Sequence, residues 1–112
     1  MKLSEVIEKS ELEAVLVPHP DAEVAGVYTS DLLSDVMAHC EDEFLLVTVQ
    51  NHKNSVAVCT LVGAPALIIV HNRPLPEDMV AAAKQEGIAL LRTSLDQFGI
   101  SVRLATILGI QK

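Results

Sequence analysis

Aromatic residues are scarce in this sequence: its 112 residues include one Tyr, two Phe and no Trp, although 50% of the chain is hydrophobic. A core must therefore be built from Val, Leu, Ile and Ala. Basic residues are also few, at 8 against 15 acidic residues, which gives a net charge of −7. Because nucleic-acid binding needs clustered Lys and Arg to contact phosphates, no nucleic-acid partner is expected.

Cysteine is rare as well, with only Cys40 and Cys59, which do not form a C-x-x-C pair. Two separated cysteines in a chain without a recognisable signal peptide predict reduced thiols and a cytoplasmic location. The longest apolar stretch, residues 56–70, is interrupted by Gly63 and Pro65. It is shorter than the roughly 20 residues of a membrane-spanning helix, so no membrane partner is expected.

Signatures of catalysis and metal binding are missing too. The sequence contains no phosphate-binding G-x-x-x-x-G-K-[ST] loop, no G-x-G-x-x-G fingerprint and no G-x-S-x-G turn. Its His and Cys residues show neither the H-x3-H nor the C-x2-C spacing of metal sites. We therefore predict no catalytic residue, no metal and no cofactor.

What the sequence does contain is an alternation of short apolar runs with helical segments. Residues 44–49 and 66–70 are rich in Val, Ile and Leu and flank a short apolar helix that ends at Gly63, a pattern typical of a βαβ unit. Repeated along the chain, it predicts an α/β fold: a single small domain over residues 1–112, with a mostly parallel sheet of four to five strands and helices on both faces.

The predicted elements follow the order α, β, β, α, β, α, β, α, β, α, and the first strand is a candidate for an antiparallel edge. The strands are predicted at residues 13–17, 24–28, 44–49, 66–70 and 88–91. The last helix is predicted to begin at a capping box formed by Ser94 and Gln97. Its apolar face is predicted to include Leu95, Phe98 and Val102.

Polar residues follow four of the predicted strands. The carboxyl ends of parallel strands share one edge of a sheet, where ligands bind, and helix N-termini there favour anions. The predicted ligand-binding residues are Tyr28, Thr29, Ser30, Asp31, Gln50, Asn51, His52, Asn54, His71, Asn72 and Thr93. The alternative is that they serve only as caps and turns, as in any α/β domain. The run 50–54 is longer than capping requires and is the best candidate.

Three segments, residues 26–37, 47–58 and 76–91, together with Thr93, resemble small proteins of the DRTGG-domain family. That family is similar to the N-terminal domain of HPr kinase/phosphorylase. The resemblance implies an α/β domain that often stands beside other modules such as CBS pairs. It implies no catalysis, because the kinase chemistry of HPr kinase/phosphorylase belongs to a separate P-loop domain.

The residues that give the family its name differ in this chain. Gln50, Asn51 and His52 stand where the family has Asp-Arg after a strand, and residues 71–73 read His-Asn-Arg where it has Thr-Gly-Gly. The resemblance therefore implies the fold and a regulatory role, and leaves the chemistry of the ligand open.

Together these patterns predict a regulatory or small-ligand-binding module that forms a homo-oligomer and is not an enzyme. The expected ligand is a small anion carrying phosphate or carboxylate. One alternative is a homo-oligomeric protein-interaction module, suggested by a mean hydropathy of +0.38, high for a small acidic chain. Another is an acyl- or phosphoryl-transfer enzyme that uses His52 with Asp31 or Ser30 nearby.

Overall fold

The computed structural model describes residues 1–111, and its elements follow the predicted order. They are α1 (Leu3–Ser10), β1 (Glu13–Leu16), β2 (Gly26–Thr29), α2 (Leu33–His39), β3 (Phe44–Thr48), α3 (Lys53–Val62), β4 (Ala66–Ile69), α4 (Glu77–Glu86), β5 (Ala89–Arg92) and α5 (Gln97–Leu108). The range predicted for the domain, 1–112, includes Lys112, which lies outside the described residues.

The five strands form one sheet in the order β1-β5-β4-β3-β2. Strands β2 to β5 are parallel to one another, whereas β1 runs antiparallel to β5 and pairs Glu13 with Arg92. The predicted α/β class, the mostly parallel sheet and the antiparallel edge are therefore confirmed. Among residues 1–111, no helix is long and apolar enough to cross a membrane.

Helices cover both faces of the sheet, as predicted. Strands β3 and β4 alternate their side chains between two cores: Val47 and Ile68 face α1 and α5, while Leu46 and Ile69 face α2, α3 and α4. These four side chains are fully buried. Burial of such a side chain contributes about 1.5–3 kcal/mol, so the apolar runs that predicted the strands also stabilise both layers.

The start of α5 differs from the prediction. Its N-cap is Asp96, whose side chain accepts a hydrogen bond from the Gly99 N–H at 2.8 Å. Residues 93–95 are held in a loop instead, because the carbonyls of Thr93 and Leu95 accept hydrogen bonds from the turn after β4. The predicted capping box at Ser94 is therefore wrong.

The buried face of α5 also differs from the prediction. The fully buried residues are Ile100 and Leu104, whereas Phe98 is 78% exposed and Val102 is 49% exposed. The predicted face would have turned both of those side chains inward. The two exposed apolar residues lie one helical turn apart on the outer side of α5.

Candidate functional site

The carboxyl ends of β2, β3, β4 and β5 lie side by side because these strands are parallel neighbours. We call this border of the sheet the strand-end edge. Each strand there passes into a loop, covering residues 30–32, 49–52, 70–76 and 93–96. Most of the predicted ligand-binding residues belong to these loops.

Asp31 connects three elements at the strand-end edge. Its Oδ1 accepts hydrogen bonds from the hydroxyl of Thr48 at 3.1 Å and the N–H of Val49 at 2.9 Å. The same oxygen accepts a bond from the side-chain amide of Gln97 at 2.5 Å. The carboxylate thus joins the ends of β2 and β3 to the first residue of α5. Gln97, read from the sequence as part of a cap, instead binds this carboxylate.

Gln50 and His52 extend this network. The Gln50 Nε2 donates to the Asp31 carbonyl at 2.9 Å, and the Gln50 Oε1 lies 3.1 Å from the His52 Nε2. A backbone carbonyl can only accept a hydrogen bond, so the amide nitrogen of Gln50 faces the Asp31 carbonyl. The amide oxygen of Gln50 then accepts a hydrogen bond from the N–H at Nε2 of His52. His52 is therefore paired with an amide. Within residues 1–111 its ring makes no hydrogen bond to the side chain of Ser30 or Asp31.

Asn51 is occupied by structural contacts. Its Nδ2 donates to the Pro74 carbonyl at 2.7 Å, and its Oδ1 accepts from the Arg73 guanidinium at 3.0 Å. These bonds tie the end of β3 to the loop that leads into α4. Asn51 therefore positions Arg73 at the strand-end edge.

The turn after β4 has an unusual backbone. His71 and Asn72 have φ values of 59° and 53°, and the Arg73 N–H donates to the Val70 carbonyl at 3.3 Å. The His71 N–H donates to Leu95 at 3.0 Å and the Asn72 N–H to Thr93 at 2.8 Å. The turn is thus held against the loop that precedes α5.

A cleft of about 350 Å³ opens at the β5 end of the strand-end edge. Of the predicted residues, it contains Asn72 and Thr93. Its lining consists of Glu11, Glu13, Asn72, Arg92, Thr93, Ser94, Leu95 and Arg103. Its volume lies in the range of small-molecule sites, about 300–1,000 Å³.

The two arginines of the cleft are held differently. Arg92 binds Glu13 through two hydrogen bonds of 3.1 and 2.9 Å, and its remaining nitrogen lies 3.4 Å from the Arg73 carbonyl. Arg103 donates one bond, from Nη1 to the Ser10 carbonyl at 2.9 Å. Its Nε and Nη2 make no hydrogen bond within residues 1–111. Arg103 therefore has donor capacity available for a ligand.

Sequence reasoning missed part of this cleft. Arg92 is the last residue of β5 and directly follows the strand predicted at 88–91, so its position at a strand end was a usable signal. Arg103 lies in the middle of α5 and Glu11 follows α1. Their approach depends on how the two helices pack, which no local pattern encodes.

Several predicted residues have partners or positions away from the cleft. The Tyr28 hydroxyl donates to Asp35 in α2 at 2.7 Å, and the Thr29 hydroxyl lies 2.7 Å from that of Ser101 in α5. The Ser30 hydroxyl accepts from the N–H of Leu32 at 3.2 Å. The remaining two predicted residues are exposed, in the first turn of α3 and in the turn after β4: Asn54 and His71.

The Tyr28–Asp35 bond shifts both titrations. It is the main reason that the pKa of Tyr28 is raised above 10.0 and that the pKa of Asp35 is lowered below 3.8.

Burial raises the pKa of the Cys59 thiol to about 12. Cys59 is fully buried in the core. In the described part of the chain, no group of three or more His, Cys, Asp or Glu residues could hold a metal ion.

No protein-family model matches the chain. A stretch of 37 residues is 49% identical to HPr kinase/phosphorylase of Streptococcus uberis. This stretch is 33% of the present chain and 12% of that protein.

Among solved structures, the chain is similar to a crystal structure of the CBS and DRTGG domains of the regulatory region of Clostridium perfringens pyrophosphatase, complexed with activator, diadenosine tetraphosphate. It superimposes with a TM-score of 0.73 at 12% identity over 99% of this chain. The present chain covers 50% of that structure. The resemblance predicted from the sequence is confirmed as a likeness of fold: this chain is similar to a regulatory region that contains a DRTGG domain.

Proposed function

We propose that this chain is a regulatory module without catalytic activity, which binds a small anionic molecule at the strand-end edge. Residues 1–112 then act as one DRTGG-like unit, an accessory or interaction subunit in the cytoplasm. The ligand occupies the cleft beside Asn72, Thr93 and Arg103. The loops carrying Asp31, Gln50 and His52 form the rest of the strand-end edge.

The observation that carries this proposal is the distribution of arginine. The chain is acidic, yet all three of its arginines, Arg73, Arg92 and Arg103, lie at the strand-end edge or in its cleft. Arginine suits phosphate and carboxylate because its planar guanidinium donates paired hydrogen bonds. The regulatory region of the similar pyrophosphatase was crystallised with a tetraphosphate activator, which supports an anionic ligand here too.

The geometry of His52 supports a module without catalysis. General-base chemistry needs the imidazole within hydrogen-bond reach of the group that it activates. The His52 Nε2 is instead paired with the Gln50 amide. The acyl- or phosphoryl-transfer alternative therefore has no hydroxyl or carboxylate partner for that nitrogen in the described residues.

A ligand screen tests the proposal. The panel contains inorganic phosphate, adenine nucleotides, diadenosine tetraphosphate, acetyl phosphate and metabolic carboxylates, and the measurement is the melting temperature followed by calorimetric titration. A ligand at about 100 times its Kd stabilises the folded state by about 2.7 kcal/mol. Arg103→Gln should weaken binding about tenfold or more, because a hydrogen bond to a charged group contributes about 1.5–3 kcal/mol.

Lys84→Gln is the matched control, because it removes one positive charge from an exposed position on α4, away from the cleft. It should leave the affinity unchanged. If no member of the panel raises the melting temperature of the wild-type chain, the proposal is wrong.

The second candidate function is a homo-oligomeric interaction module, and the exposed side of α5 favours it. Phe98 and Val102 are exposed there. Beside them a groove of about 470 Å³ runs along α5, lined by Lys9, Glu11, Gly99, Val102, Arg103, Thr106 and Ile107. Exposed apolar patches of this kind mark protein interfaces.

Light scattering of the purified chain tests this candidate. Phe98→Ser should convert an oligomer into a monomer. Leu61→Ser should not, although Leu61 is 73% exposed, because it lies on α3 at the opposite face. A wild-type chain that is monomeric at high concentration would exclude the homo-oligomer.

A further inference from the structure

We propose that the cleft selects a zwitterion, a small molecule whose ammonium group lies a few bonds from its carboxylate or phosphate. The Glu11 carboxylate binds the ammonium group, and the Arg103 guanidinium binds the anionic group. This inference rests on the proposed function and names the class of ligand for the same cleft.

The charges that line the cleft are balanced. Glu11 and Glu13 contribute two negative charges, and Arg92 and Arg103 contribute two positive charges. The Arg92–Glu13 pair is closed by two hydrogen bonds of 3.1 and 2.9 Å. These two side chains neutralise each other, so Glu11 and Arg103 are the charges left for a ligand.

Glu11 and Arg103 do not neutralise each other. The Arg103 Nη1 is directed to the Ser10 carbonyl at 2.9 Å. None of the ion pairs within residues 1–111 involves Glu11, so its carboxylate has no cationic partner within 4.0 Å. A cleft that presents one unpaired charge of each sign attracts an anion through Arg103 and repels it through Glu11. A zwitterion is attracted by both.

Polar groups of matching chemistry surround the two charges. Asn72 supplies an amide, and Thr93 and Ser94 supply hydroxyls that can bind an anionic oxygen or an ammonium hydrogen. Leu95 provides an apolar wall. A few polar groups beside an apolar surface are typical of sites that orient a small ligand.

The backbone at Glu11 adds a second readout. Glu11 follows α1 with φ 59°, the left-handed position at which glycine is favoured. Glycine there would make the fold more stable, so the Glu11 side chain is present at some cost to stability. Glu11→Gly should therefore raise the stability of the free chain while weakening the binding of a zwitterion.

The test compares matched compounds by calorimetric titration. Alanine is set against propionate and ethylamine, and phosphoethanolamine against ethyl phosphate, with the other α-amino acids as a wider panel. The two series distinguish a carboxylate from a phosphate as the anionic group. The zwitterion should bind about tenfold more tightly than the compound that lacks its ammonium group.

Variants assign the two charges. Glu11→Gln should abolish the preference for the zwitterion, and Glu11→Gly should do the same while raising the melting temperature of the free chain. Arg103→Gln should weaken the zwitterion and the plain anion alike. Glu86→Gln, which removes an exposed carboxylate at the end of α4, should change neither affinity.

Two results would overturn the inference. If an anion binds through Arg103 but its zwitterionic partner binds no better, the cleft does not select a zwitterion, and the proposed function stands. If Glu11→Gln leaves the preference intact, Glu11 does not bind the ammonium group, so the inference is wrong and the proposed function stands. If no compound of either series or of the wider anion panel binds the wild-type chain, the proposed function fails together with the inference.

Discussion

At the scale of single residues, the side chains that sequence reasoning grouped together have separate roles. Asp31, Gln50 and Asn51 bind neighbouring loops, while Asn72 and Thr93 line the cleft. Residue type and a place after a strand predicted that these side chains lie at one edge. Residue type and position could not predict which side chains have hydrogen-bond partners within the protein, because partners such as Pro74 and Gln97 come from distant parts of the chain.

Tyr28 is the only tyrosine in the sequence, so its titration can be followed by itself. Its hydrogen bond to Asp35 favours the neutral phenol, so the absorbance of tyrosinate should appear with a midpoint above pH 10.0. Asp35→Asn should return the midpoint towards 10.0, since the amide removes both the charged acceptor and the repulsion. Asp78→Asn, an exposed carboxylate in the first turn of α4, should leave it unchanged.

The pKa shifts of Tyr28 and Asp35 determine how the stability of the fold changes with pH. The pKa of Tyr28 is raised, so its contribution to stability is present below pH 10.0 and is lost as the pH rises through the folded pKa. The pKa of Asp35 is lowered, so its contribution is present above pH 3.8 and is lost on acidification. A tyrosinate midpoint below 10.0 in the wild-type chain would contradict the Tyr28–Asp35 bond.

At the scale of elements, existence and order were predictable, and several boundaries were not. Residues 44–49 and 66–70 predicted β3 and β4 because buried parallel strands are continuous apolar runs. The start of α5 was mispredicted because residues 93–95 bind the turn after β4. That turn forms only when the strands are assembled, so a local capping signal at Ser94 was overridden by tertiary hydrogen bonds.

The turn after β4 gives a prediction for His71. Its φ of 59° is left-handed, and its side chain is exposed. Relief of the strain that a side chain causes in a left-handed backbone contributes about 1–2 kcal/mol. The extra flexibility of glycine in the unfolded chain costs about 0.5–1 kcal/mol. His71→Gly should therefore raise the free energy of unfolding by about 0.5–1 kcal/mol, measured by urea denaturation.

Asn54→Gly is the opposing control for that measurement. Asn54 is also exposed, but it lies within α3 with helical geometry. Glycine in a helix is less favourable than other residues, so this variant should lose stability. Loss of stability in both variants would show that the left-handed backbone of His71 is not under strain, and stabilisation by both would show that the gain is not specific to the left-handed position.

At the scale of the whole molecule, the sheet separates two apolar layers that share the same strands. Ile68 faces α1 and α5, and its neighbour Ile69 faces α2, α3 and α4. Both are fully buried. The strand-end edge depends on both layers, since Asp31 binds the end of β3 on one side and Gln97 of α5 on the other. A ligand there should therefore stabilise the chain as one unit.

Truncation of each layer tests whether the chain unfolds as one unit. Ile68→Ala and Ile69→Ala should each lower the free energy of unfolding by about 2–5 kcal/mol, the range for large-to-small changes in a core. The measurement is urea unfolding followed by circular dichroism and by Tyr28 fluorescence. Tyr28 packs against the layer formed by α2, α3 and α4. Both probes should report the same midpoint in both variants.

Val15→Ala is the control for these truncations, because Val15 is 39% exposed on the edge strand β1 and should change stability by no more than about 0.5 kcal/mol. The informative case is Ile68→Ala, which removes packing only from the layer away from Tyr28. If the fluorescence midpoint stays at its wild-type value while circular dichroism shows an earlier transition, the layers unfold independently. A shared midpoint requires β3 and β4 to transmit the loss from one face to the other, as strands buried on both faces should.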